Sequence, residues 1–441
     1  MKLIYQAGRL DGNIEQSYRF AVHGKVYIQP LSSLALKEHF GPGQSKVVLV
    51  YPVSLPFNKN VPSGYRLEGE EARTEYLSDP HPFFESHPHT RQADGFVVVH
   101  SIGTYWGQRF EGSYDAIVLR LFVDMVQRFL LERIKEIYID ISSGQNIFVA
   151  ALLEAIRYFM VFCGLQSWHL QNGITRAYVC FSEPVFQPDE VYQIYSDREV
   201  RHKAFFEAPL LIKEEGCRNQ FVKALVGDQS RELKKKTQEL YRQFLVCYSA
   251  MANGTPMVFY SFPDLVTSQQ EVKNLIEDLA SRLQTELAKD WAYAPKVIQQ
   301  ANAMKNWRDL IFCFALYLGI IELLEHRNVR VPSESGVDLE RMENDFSFIY
   351  DRLSVPGNVP FLKSEVSNTK KKALCKARGG ADWRLLGEGS RPNFDPRNFT
   401  AHIGLQETFT EFRVDGNNVF VRYAQPENLR TEVENLLLKA L

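Results

Sequence analysis

The chain of 441 residues contains no CxxC pair, no GxGxxG turn, no Walker A loop, no HExxH helix and no Ser-His-Asp elbow. Those absences remove zinc knuckles, the common dinucleotide and P-loop phosphate sites, zincin metalloproteases and α/β-hydrolases. Six cysteines (Cys163, Cys180, Cys217, Cys247, Cys313, Cys375) lie far apart in sequence, so no disulfide framework is written and a reducing compartment fits. Charge of one sign is also missing: 51 Lys and Arg face 53 Asp and Glu. No whole-chain field exists to hold nucleic acid or an anionic membrane, and any such site must be local. The apolar run near the N-terminus, Leu3 to Tyr5, is too short for a secretory signal. The longest apolar run, Leu310 to Ile321 between Asp309 and Glu322, falls below the roughly 20 residues a bilayer requires. A cytoplasmic chain without a membrane partner is expected. At 45% hydrophobic and 24% charged residues the composition is that of a globular protein, and the length suits two or three domains.

Apolar β-branched or aromatic runs alternate with helical ones over the first 200 residues. The expected strands are Lys2 to Gln6, Val47 to Val53, Phe96 to Ser101, Glu136 to Ile141 and Arg176 to Phe181, with amphipathic helices at Tyr114 to Leu131 and Ile147 to Cys163. This pattern predicts a Rossmann-like α/β domain over 1–200 with a mainly parallel sheet. Long helical periods then take over: Arg218 to Met251, Gln270 to Trp291, Val297 to His326, Leu339 to Leu353 and Glu427 to Leu441. They predict a helical domain over 201–441, with a small β insertion and room for a linker subdomain around 205–265. Pro256 to Phe262 reads as a hairpin arm, and Asn418 to Tyr423 as a strand after the turn Asp415-Gly416-Asn417. The boundary is expected between Gln193 and Phe206, in a charged stretch.

Three segments carry chemistry. In EIYIDISSGQN, Glu136 to Asn146, a strand runs through Ser142, Ser143, Gly144, Gln145 and Asn146 into a helix. Small side chains and unpaired helix N–H groups then sit at the C-terminal edge of a parallel sheet, where open α/β folds bind ligands. Simple helix capping explains the same residues about as well. In VVVHSIGTYWG, Val97 to Gly107, the residues Ser101, Gly103 and Thr104 would join that pocket if the two strands are neighbours, and an ordinary turn is the competing reading. GPGQSK at Gly41 to Lys46 precedes a strand and is misplaced for phosphate.

The third segment is RPNFDPRNFTAHIGLQE, Arg391 to Glu407. Asp395 followed by Pro396 predicts a helix start, with Arg397 and Asn398 in its first turn. On an ideal helix His402 would lie about 7.5 Å further along and roughly 140° around, off the face of Arg397. A site using both must therefore borrow the helix start or a second helix. A guanidinium binds phosphate in a fork, and imidazole moves protons near neutrality without a metal. Lys363 to Arg397 carries nine Lys or Arg against four acids. Its glycines, Trp383 and Phe394 suggest a mobile loop gripping RNA through Lys372, Lys376, Arg378 and Arg391, with a solvated surface loop as the alternative. His81, His87 and His89 have no partners that complete a metal set, so no metal is expected there.

DISSGQN, the GTY of Gly103 to Tyr105, VCFSEPV after the last strand and RNFTAH followed by IGLQE together resemble the CRISPR-associated ribonucleases of type III systems. That family pairs an N-terminal CARF domain with a C-terminal HEPN domain. The resemblance implies a homodimer or higher oligomer. Its paired CARF domains bind a cyclic oligoadenylate, most simply cyclic tetra-adenylate, through Ser142, Ser143, Gly144, Gln145 and Asn146 with Gly103 and Thr104 opposite. It implies Arg-x4-His helices meeting across a two-fold axis. It implies metal-independent cleavage of single-stranded RNA with no required cofactor, leaving 2′,3′-cyclic phosphate and 5′-hydroxyl ends, with Arg397, Asn398 and His402 as the catalytic set. The loop Gln6 to Asn13 departs from the family's Trp-Gly-Asn-Pro, which leaves ligand contacts there open. Two alternatives stand beside this: a ligand-sensing nucleic-acid-binding regulator with an inert helical half, and a sheet-edge pocket that also degrades its activator.

Overall fold

The structure, a computed structural model, describes the chain except for residues 11–13, 15, 133, 171–174, 201–209, 228–229, 330–335, 354, 356, 378–381, 388–393 and 425. It divides into two compact units.

The first unit is built on ten strands: β1 (Lys2–Ala7), β2 (Tyr18–Val22), β3 (Lys25–Gln29), β4 (Ser45–Pro52), β5 (Gly95–Val99), β6 (Ile102–Tyr105), β7 (Gln108–Glu111), β8 (Glu136–Asp140), β9 (Arg176–Ser182) and β10 (Val191–Glu199). Eight of them form one sheet in the order β3-β2-β10-β9-β8-β1-β4-β5, and β6 and β7 form a separate hairpin. The run β5-β4-β1-β8-β9 is parallel throughout. β1 and β4 are almost wholly buried because helices cover both faces of the sheet. Ile4, Val47 and Leu49 face the helix Ser32–Phe40 through Leu34 and Leu36. On the other side Tyr5 donates to Asp124 Oδ2 of the helix Tyr114–Leu131 at 2.6 Å. That helix packs on Asn146–Ser167, with Phe129 5.7 Å from Phe159 and 5.9 Å from Phe162. Among the described residues Asn146–Ser167 is the helix long and apolar enough to cross a bilayer; 56% of its apolar window is buried inside the chain, as in a core helix.

All five expected strands and both expected helices are present. The strands β2, β3 and β10 at one end of the sheet and the β6–β7 hairpin were not expected. β10, Val191–Glu199, also takes up the first half of the segment expected to be the domain boundary; residues 201–206 of that boundary lie outside the described set. The first unit further includes Ile276–Phe312, which the sequence pattern had assigned to the second half. The physical reason is in the contacts: the buried Arg120 donates to the carbonyl of Gln284 at 2.6 Å, and Trp291 stacks on His100 at 4.9 Å.

The second unit is mainly helical and comprises Gln166–Gln171, Ala208–Leu275 and Cys313–Leu441. Its small sheet has the order β11 (Val337–Asp338), β14 (Asn418–Tyr423), β13 (Thr410–Asp415) and β12 (Arg384–Leu385). Gly416, at φ 58°, turns β13 into β14 as Asp415-Gly416-Asn417 predicts. Three expectations fail here. The long helix Arg218 to Met251 is two helices, Glu215–Val226 and Arg231–Ala252, stopped by Gly227 at φ 77°. Pro256 to Phe262 is not a hairpin arm; Met257–Ser261 is a short helix, because Pro256 is already set at a helical φ of −63°. The basic stretch from Lys363 begins on a helix, Asn358–Lys376, rather than in a loop. Leu362, Val366, Thr369 and Ala373 are its buried face, at helical spacing, and the lysines fall around that stripe.

Candidate functional site

Between β1 and β8 the parallel strand order reverses direction, and open α/β sheets bind ligands at that switch point. A cavity of about 720 Å³ opens there, lined by Gln6 and Ala7 at the end of β1 and by Ser142, Ser143, Gly144, Gln145 and Asn146 after β8. All five loop residues expected at the ligand therefore line it. Gly103 and Thr104 do not: they lie in the β6–β7 hairpin, and it is Tyr105 of the same strand that lines the cavity.

The loop is wired from beneath. Asp140 is fully buried and accepts from Ser32 Oγ at 2.6 Å, from Ser142 N at 3.0 Å and from the Ser142 hydroxyl. Burial pushes its carboxyl above the usual range, opposed by the hydrogen bonds from Ser142 and Ser32. Gln6 Nε2 donates to Ser32 Oγ at 2.9 Å, and Gln6 Oε1 accepts from Ser33. Ser142 Oγ also accepts from Ser182 N at 2.8 Å, which ties the loop to β9, and Gln145 Nε2 donates to Gly8 O at 2.8 Å. Gly144, at φ 70°, makes the turn. Ser142 thus anchors the loop, so capping alone does not account for the motif. Ser143 Oγ, Gln145 Oε1 and Arg9 Nε are buried with no hydrogen-bond partner among the described residues. Unpaired buried polar atoms are costly, and these three line the cavity.

Arg9 was missed from sequence. It stands in the loop after β1, 5.2 Å from the Tyr18 ring, with Nη2 donating to Pro30 O at 3.1 Å. The signal was available, because a loop at the C-terminal end of a central strand is part of the same sheet edge. Residues 11–13 of that loop lie outside the described set.

In the second unit, Asp395 accepts from Arg397 N at 2.9 Å and from Asn398 N at 3.2 Å, and Pro396 occupies the first position of the helix Pro396–Ala401. This is the predicted N-cap, and the Asn398 amide also donates to Asp395 Oδ2 at 3.1 Å. Phe399 is the buried residue of the helix, 5.4 Å from Phe394 and 6.3 Å from Phe409. That anchor turns Arg397 and Asn398 outward, and both are exposed. Among the described residues the Arg397 guanidinium has no hydrogen-bond or ion-pair partner.

His402 is not inside the helix, so its expected offset of a third of a turn or more does not apply. It is the C-cap, at φ −120°, followed by Ile403 and Gly404 at φ 53° and 84°. Gly404 N returns to Phe399 O at 2.8 Å, and buried Tyr423 donates to Gly404 O at 2.9 Å. The exposed His402 ring bonds through Nδ1 to Glu365 Oε2 of the helix Asn358–Lys376 at 2.9 Å. Glu365 carried no sequence signal beyond being an acid in a basic stretch. Of the expected RNA contacts, Lys372 is paired with Glu407, and Lys376 donates to Leu386 O at 2.8 Å. Arg378 and Arg391 lie outside the described residues. His87 and His89 are core residues of the first unit: both are fully buried, and His89 bonds to Ile14 O at 2.7 Å.

A Rossmann-like unit with a cavity at its switch point, in one chain with a helical unit exposing Arg-x4-His, is the architecture of a two-part protein with a ligand-binding half and a half that presents reactive side chains. Two family descriptions match the chain: CRISPR system endoribonuclease Csx1, CARF domain, over residues 2–184, and CRISPR system endoribonuclease Csx1, HEPN domain, over residues 356–425. Between them they cover more than half of it, and the chain belongs to the CARF–HEPN family of CRISPR-associated endoribonucleases. Among curated proteins nothing matches it.

Proposed function

We propose that this is a cytoplasmic, cyclic-oligoadenylate-activated endoribonuclease of type III CRISPR defence that cuts single-stranded RNA without a metal. Cyclic tetra-adenylate is the proposed activator. It would sit in a pocket formed by two copies of the first unit, with Ser143, Gly144, Gln145 and Asn146 against the ring, Ser142 holding the loop, and Gly103 and Thr104 acting through the Tyr105 hairpin. Arg9 would face a ring phosphate, since a guanidinium with an unpaired Nε suits a phosphodiester.

For the reaction, Arg-x4-His segments of two copies would close on one phosphodiester. The 2′-hydroxyl attacks phosphorus and the 5′-oxygen leaves. Arg397 stabilises the charge of the phosphorane, His402 moves the proton, and Asn398, tied to Asp395, keeps the first turn in shape. Lys372, Lys376, Arg378 and Arg391 remain the proposed RNA contacts; Lys372 and Lys376 would have to exchange their intramolecular partners for phosphate.

The observation that carries the reading is the outward exposure of Arg397 and His402 on one short segment whose backbone is fixed by Asp395 and Tyr423. A fluorogenic RNA assay in EDTA, run with cyclic oligoadenylates of several ring sizes, tests it. Cleavage that rises with one ring size and disappears in His402→Ala is expected. Undiminished cleavage by His402→Ala would overturn the assignment.

A further inference from the structure

His402 has two ring nitrogens, and its chemistry depends on which one carries the proton. An ionised carboxylate can only accept, so at 2.9 Å from Glu365 Oε2 it is Nδ1 that donates. Nε2 of the neutral ring is then left with its lone pair, pointing away from Glu365.

The rest of the residue leaves this as the one adjustable contact. The backbone of His402 is closed by His402 N to Asn398 O at 3.1 Å and Leu405 N to His402 O at 2.7 Å, with Tyr423 holding the following turn. Glu365 comes from a helix pinned by Leu362, Val366 and Thr369, and its side chain is 16% exposed against 46% for His402. Its lysine neighbours on that helix pair elsewhere: Lys370 with Glu340 and Lys372 with Glu407. Among the described residues Glu365 has no other hydrogen-bond or ion-pair partner. This carboxylate is spent on an imidazole from another segment and not on a lysine of its own helix.

We propose that Glu365 is the positioning residue of this site: it holds His402 in the Nδ1–H tautomer and so makes Nε2 the atom that takes the proton from RNA. The inference rests on the ribonuclease reading above. As the O2′–P bond forms and the P–O5′ bond breaks, Nε2 accepts the 2′-hydroxyl proton, and the 5′-oxygen leaves with a proton from water. The imidazolium, held by the Glu365 carboxylate, then returns its proton to solvent.

Glu365→Gln keeps the shape but replaces the charged acceptor-only group with a neutral amide that both accepts and donates, which removes the bias toward the Nδ1–H tautomer. It is expected to lower kcat by about 10²–10⁴-fold, the range that positioned general acid–base catalysis contributes, with KM for RNA unchanged. Glu365→Asp, which retains the carboxylate, recovers part of the rate. Nitrogen-15 NMR of histidine-labelled protein reads the cause directly: Nδ1–H in the wild type and a raised share of Nε2–H in Glu365→Gln. An unchanged kcat in Glu365→Gln, or losses of equal size in both variants with a raised KM, overturns the proposal. If the wild type cleaves no RNA under any activator, the ribonuclease reading falls. The NMR experiment still decides on Glu365, because an Nε2–H tautomer in the wild type refutes its role.

Discussion

At the sheet edge of the first unit, Gln6, Ser32 and Asp140 are buried and linked by hydrogen bonds; in the second, Arg397, Asn398 and His402 stand exposed on a six-residue helix and the turn after it. The first arrangement spends its hydrogen bonds on shape and leaves three buried polar atoms unpaired. The second is shaped by backbone devices, a cap at one end and a left-handed turn at the other, and its guanidinium has no partner among the described residues. A cavity with its own floor is already shaped within each copy of the unit. A flat, exposed pair of reactive groups needs something brought against it, which is how a sensor and a latent enzyme differ.

The sharpest way to break that contrast is to remove the exposed cation. Arg397→Ala is expected to lower RNA cleavage by about 10²–10³-fold, the range for losing one donor to a developing oxyanion, while activator binding measured by calorimetry is unaltered. Loss of activator binding in the same variant would show that the two sites are not separable. The next effect is smaller and opposite in kind. Arg9→Ala should weaken cyclic oligoadenylate binding by about 10–100-fold, the equivalent of about 1.5–3 kcal/mol for hydrogen bonds to a charged group, with cleavage retained at saturating activator. A variant that binds normally would remove Arg9 from the ligand.

A third effect bears on stability and not on either site: it concerns the core behind the sensor. His87 is held neutral, its pKa pushed down to about 3 by burial and then by His89. The unfolded imidazole protonates near 6.5 and the folded one only near 3, so between those values the unfolded state binds more protons and stability falls as pH drops. The expected slope is about 1.4 kcal/mol per pH unit for this one group. Urea unfolding followed below pH 6.5 measures it, and His87→Leu should flatten the curve; an unchanged slope would place the acid sensitivity elsewhere.

Much of the first unit was legible because β1, β4 and β8 are covered on both faces and must be nearly continuous apolar runs. β3 and β10 sit where one face or an edge meets water, so Val26 and Ile28 are exposed beside Lys25, and Ser196 and Arg198 interrupt β10. Their pattern looks like loop. The helix Asn358–Lys376 was hidden for a related reason: its buried stripe is narrow, and Pro360 and the lysine run read as irregular chain until one sees that Pro is tolerated in a first turn. Ser142 to Asn146 could be found because local spacing alone puts small residues after a strand. Glu365 could not, since 37 residues separate it from His402 and tertiary folding alone joins them.

The return of Ile276–Phe312 to the first unit has a practical consequence. A fragment ended near residue 200 would strip the Gln284 carbonyl from Arg120, the Leu287 carbonyl from His100 and the Trp291 ring from its stack. A buried guanidinium and imidazole would be left facing solvent or nothing. The sensor is therefore not a detachable cassette: its last wall is encoded after the start of its neighbour, and anyone wishing to transplant it must carry that later stretch along.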